Sequence, residues 1–164
     1  MLLDWLRANI AGAEYVFAVD LHTGLGGRGA ETVILEAAIA DGRVAELAQG
    51  LRRALVDARA GQAAYRIRGG MADAVARIVG KTRVDFIVQE MGTRSSLAVL
   101  HALREENRCH HYAAPDPRHP ARIALLETFC PASPRWRARA VSRGLALLRA
   151  AAAWTFREGT AGQA

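Results

Sequence analysis

The chain has 164 residues, 51% of them apolar, and a formal net charge of +6. That length suits one domain with a real core. No apolar run approaches membrane-spanning length, and Asp4 stands where a signal peptide needs a basic lead, so no membrane partner and a cytoplasmic location are expected.

Residues Leu2 to Ile10 read as an amphipathic helix, with Leu3, Leu6 and Ile10 recurring at helical spacing. The run Tyr15 to Leu21 is apolar, β-branched and aromatic, and reads as a buried strand that stops on Asp20, His22 and a cluster of glycines. Thr32 to Leu35 is expected as a second strand. Arg43 to Ala58 reads as a helix with Val44, Leu47, Leu51 and Leu55 inward. Tyr65 to Arg68 alternates like a short strand, and Met71 to Val79 fits a helix closed by Gly80. The strand Val84 to Glu90 repeats the first device, ending on a carboxylate before Met91-Gly92-Thr93. Thr93 or Ser95 can cap a helix through Leu97, Leu100 and Leu103 towards Asn107. A histidine- and proline-rich loop, Cys109 to Pro120, then precedes a helix near Ala121 to Phe129. Ser133-Pro134 starts the final helix, expected to pack Val141, Leu145, Leu148 and Ala152. Residues 1–157 thus form a single α/β domain and 158–164 a flexible tail.

The positive charge is nearly all arginine, Lys81 being the single lysine. In the densest run, Arg135, Arg137, Arg139 and Arg143, only Trp136 interleaves, which is short of a base-stacking platform, so no nucleic-acid partner is expected. Cys109 and Cys130 have no CxxC spacing, in keeping with a reducing compartment.

Two constellations carry chemistry. Gly24, Gly26 and Gly29 satisfy G-x-G-x-x-G after a strand, but the dinucleotide fingerprint also needs a helix at the third glycine, and the residues after Gly29 prefer a strand. The other is His22 with Glu90, at the ends of two strands. Strand period two puts Asp20 on the His22 side, where its carboxylate can orient the imidazole from behind. An imidazole is a good zinc ligand, and a carboxylate beside it can take a proton from water, although spacing alone favours a Glu90 that merely caps or charges a loop.

Asp20-Leu21-His22-Thr23-Gly24-Leu25-Gly26, then Gln89-Glu90-Met91-Gly92-Thr93 and the helix holding Leu100-His101-Ala102-Leu103-Arg104, resembles the zinc carboxypeptidase and succinylglutamate desuccinylase/aspartoacylase superfamily, in its bacterial branch of unknown function. The resemblance implies a mixed sheet flanked by helices, zinc-dependent hydrolysis of an amide in a peptide or N-acyl amino acid, His22 as the third zinc ligand and Glu90 as general base. The family's first two ligands come from an upstream H-x-x-E motif, and no H-x-x-E occurs in this sequence; nor does an Asn-Arg pair precede His22. Asn107-Arg108 falls after the base, and Cys109, His110, His111 and His119 match no strong zinc spacing. The chain reads as the C-terminal half of such a fold, truncated on its N-terminal side. Zinc is not expected to bind to it alone, and an uncovered sheet edge favours a homo-oligomer or a complementing chain. Two other readings stand beside this one: a non-catalytic interaction domain, and a nucleotide binder built on the Gly24 to Gly29 loop.

Overall fold

The computed structural model describes residues 1–36, 41–57, 70–80 and 83–161. In chain order these form α1 (Leu2–Ile10), β1 (Tyr15–Leu25), β2 (Glu31–Leu35), α2 (Asp41–Leu51), β3 (Leu55–Asp57), α3 (Met71–Val79), β4 (Arg83–Arg94), α4 (Ser96–Tyr112), α5 (Pro120–Phe129) and α6 (Pro134–Ala161). The sheet order is β1-β4-β2-β3. Tyr15 meets Asp85 and Gly24 meets Thr93, so β1 and β4 run the same way. The bonds Gly92 N–H to Ala30 O and Glu36 N–H to Phe86 O make β4 and β2 antiparallel, and β2 pairs parallel with β3, Val33 opposite Leu55. The fold is therefore α/β with a mixed, helix-flanked sheet. No described helix is long and apolar enough to cross a membrane. The strand expected at Tyr65 to Arg68 lies outside the described residues.

By contact density the chain forms two compact units: Met1–Asp20, Val33–Gln89 and Ala146–Ala164 in one, Leu21–Thr32 and Glu90–Leu145 in the other. In the first, strand alternation sorts the core into two layers. Val33, Leu35 and Ile87 pack with Leu47 and Leu51 of α2 and with Leu147, Ala151 and Trp154 of α6, joined by Tyr15, Phe17 and Val19. On the other face Phe86 and Val88 meet Val75 of α3, with Leu6 and Ile10 of α1 and Val16 and Ala18 of β1 around them. A Cβ at Gly50 would overlap the Trp154 ring, so glycine there lets α2 and α6 come together.

Several expected boundaries move. The helix over Arg43 to Ala58 ends at Leu51, and Leu55–Asp57 is strand β3. Arg52 adopts a left-handed φ of 53°, and the bonds Arg53 N–H to Ala48 O and Arg52 N–H to Gln49 O close a Schellman turn. The expected loop from Cys109 begins later, because α4 continues to Tyr112 and buries Cys109. Residues 158–161, expected in the tail, belong to α6. The face expected to pack on α6 is instead exposed: Val141 is 62%, Leu145 47% and Leu148 42% accessible. Trp136, Leu147, Ala151 and Trp154 are buried in their place. Both stripes have helical period, and the bulk of the two tryptophans decides which one turns inward.

Candidate functional site

The second unit holds both His22 and Glu90. Neither sits at a strand end as expected, since β1 runs on to Leu25 and β4 to Arg94. The ladder continues because the turn after β1 stays bonded to β4: Gly26 N–H donates to Arg94 O, and Gly29 N–H to Gly92 O. Ala30 N–H is taken by Gly27 O. Three amides of the glycine-rich loop are thus spent on backbone bonds, and strand β2 follows rather than a helix. That is not the open cradle a dinucleotide phosphate requires.

Carrying the alternation of Val16 and Ala18 along β1, and of Phe86 and Val88 along β4, puts Asp20, His22 and Glu90 on one face of the sheet. His22 is exposed, whereas Asp20 and Glu90 are half-buried. The Glu90 Oε1 atom lies 3.7 Å from the point where a Cβ on Gly24 would sit. Gly24 is two residues beyond His22, about 7 Å along a strand, so the carboxylate leans over β1 on the histidine side.

The residues around this carboxylate explain both motifs. Gly24 has φ +149°, and a Cβ on it would stand 2.9 Å from the Phe129 ring. Its carbonyl accepts the Thr93 hydroxyl, while the Thr23 hydroxyl donates to Phe129 O. A Cβ on Gly92 would overlap the Gly27 carbonyl, because the loop passes directly over that point of β4. The Trp136 indole N–H then donates to Gly92 O at 3.0 Å. Gly92 and Thr93 therefore tie the glycine loop down beside Glu90. Reading the sequence alone missed Phe129 and Trp136, whose contacts depend on chain folded back from α5 and α6.

A separate polar assembly lies in the first unit. The Asp85 carboxylate is 1% exposed and accepts from the Tyr15 hydroxyl and from Arg43, the latter at 3.0 Å. The Trp154 indole N–H donates to the Tyr15 oxygen at 3.0 Å, and the Arg43 guanidinium lies 4.9 Å over the Trp154 ring. Burial, and then the bond to Asp85, push the Tyr15 phenol well above its ordinary range. The signal for it was in plain view: a lone acid inside the apolar run Val84 to Val88 has to be paired when buried.

Catalytic zinc normally needs three protein ligands. Among the described residues no group of three or more His, Cys, Asp or Glu side chains could hold a metal ion, so these residues do not by themselves fit a zinc centre. His110 and His111 lie on α4 against each other, and the His119 Nδ1 caps α5 by accepting from the Ala121 amide.

No curated protein and no solved structure matches the chain. A family described as "Protein of unknown function (DUF2817)" matches residues 1–143. The match takes in the Asp20 to Gly26 segment, the Gln89 to Thr93 segment and the glycine loop between β1 and β2, and the chain belongs to the DUF2817 family.

Proposed function

We propose that this chain carries the base-bearing part of a zinc carboxypeptidase-like amide hydrolase, in which Glu90 is the general base and His22 one metal ligand. The observation that carries this reading is the Glu90 carboxylate leaning over β1 at Gly24, on the face shared with His22 and Asp20. In that place Glu90 takes the proton from the attacking water and returns it to the amine that leaves when the C–N bond breaks. Asp20 orients the imidazole from behind. The substrate class is a peptide or an N-acyl amino acid. The remaining metal donors come from residues that this sequence does not contain, and β1, the outer strand of the described sheet, offers them a place beside His22.

The test is complementation. The chain is mixed with a polypeptide carrying the H-x-x-E and Asn-Arg elements, and zinc content and hydrolysis of N-acyl amino acids are followed. Zinc held by the mixture should fall on His22→Ala, whereas Glu90→Gln should abolish turnover and leave zinc in place. Full turnover in Glu90→Gln, or zinc uptake indifferent to His22→Ala, overturns the assignment.

A further inference from the structure

The space above Gly24 is shared by two side chains. A Cβ there would stand 2.9 Å and 3.1 Å from two carbons at the edge of the Phe129 ring, and 3.7 Å from Glu90 Oε1. Ring edge and carboxylate oxygen are thus neighbours across a gap that any side chain at position 24 would fill. Gly24 is fixed between them, because its carbonyl accepts the hydroxyl of the buried Thr93. Phe129 is held at its backbone, where its carbonyl accepts the Thr23 hydroxyl at 2.6 Å and the next amide, Cys130 N–H, closes α5 on Leu126 O. Thr23, Gly24, Glu90, Thr93 and Phe129 all belong to the second compact unit.

We propose that Thr23 and Phe129 are positioning residues for Glu90: the Thr23 hydroxyl fixes the end of α5, and the ring carried there holds the Glu90 carboxylate in the one rotamer that leans over β1 on the His22 side. A glutamate next to a glycine otherwise has room for several staggered conformations. The ring takes up that room. Its edge, the positive part of the ring quadrupole, is the part nearest Gly24. Phe129 is half-buried, and an apolar ring set beside a half-buried carboxylate costs the acid part of its hydration, so the contact is poor as core packing. As a fixed wall for a base it is effective, since a reacting group misplaced by about 1 Å can lose about a hundredfold in rate. For turnover this role rests on Glu90 being the base, as proposed above; for geometry it does not.

The first measurement uses the full chain alone, without zinc or substrate: NMR three-bond couplings to the Glu90 β-protons, which read its side-chain rotamer in solution. Wild type should show a single staggered conformer. Thr23→Val keeps the branched strand residue and removes the hydroxyl, and Phe129→Leu keeps apolar bulk and removes the ring edge; each should give averaged couplings. Thr23→Ser, which retains the hydroxyl, should restore the wild-type pattern. In the complemented mixture, Thr23→Val should lower kcat about tenfold or more while KM and zinc content stay as in wild type. Averaged couplings in the wild-type chain overturn the proposal with no variant needed, and so do wild-type couplings in both Thr23→Val and Phe129→Leu. A single rotamer that Thr23→Val disperses, together with full turnover in Glu90→Gln, would keep the positioning and remove the base, so the two claims fail separately.

Discussion

Tyr15 stands between two groups that each need it, its hydroxyl donating a hydrogen bond to Asp85 and accepting one from the Trp154 indole N–H. Its phenol is raised in the folded chain, while in the unfolded chain it ionises near pH 10. The neutral form is thus favoured by folding. Its contribution is fully present below about pH 10 and is lost as pH rises from there towards the folded value, with a slope of at most about 1.4 kcal/mol per pH unit. Tyr15→Phe removes this dependence, so urea unfolding at stepped pH should show a constant gap between wild type and variant from pH 7 to 9, and a narrowing gap above 10. Parallel profiles would separate Tyr15 from the alkaline response. At Gly92 the question is steric. Gly92→Ala pushes a methyl into the Gly27 carbonyl, which is backbone and cannot swing aside, and a loss of about 1–3 kcal/mol is expected in the same denaturation assay.

At the scale of elements, what the chain announces locally is found in place. The helices Leu2–Ile10 and Met71–Val79 lie where the period and the closing Gly80 put them, and Ser95 caps α4 as one of its two candidates. What was hidden is set by contacts distant in sequence or by unusual backbone. Nothing in Arg52 announces a left-handed residue, so α2 read straight through into β3. Arg52→Gly should raise stability by up to about 1 kcal/mol, because glycine adopts that conformation without strain; a decrease would show that the arginine side chain holds the turn. The candidate site divides in the same way. His22 and Glu90 were legible as motif residues, but the Phe129 and Trp136 contacts that wall in the Glu90 region were not, since no local pattern links them to β1 or β4. On α6 the period pointed to Val141, Leu145 and Leu148, and packing against α2 and the sheet buries Leu147, Ala151 and Trp154 instead.

For the whole molecule, alternating strands and helices were sufficient to announce the α/β class, but not the strand order. Neighbours in a sheet are chosen by long-range register, and β1 and β2, adjacent in sequence, are parted in space by β4. During synthesis the ribosome therefore releases Tyr15–Leu25 and Glu31–Leu35 well before the segment that must slot between them. Until Arg83–Arg94 emerges, the earlier two strands lack the partner that separates them in the sheet, and a β1–β2 hairpin closed by glycines is the pairing we predict for that interval. Refolding from urea should accordingly show a slow phase that shortens when the β1–β2 hairpin is disfavoured by a longer connecting loop.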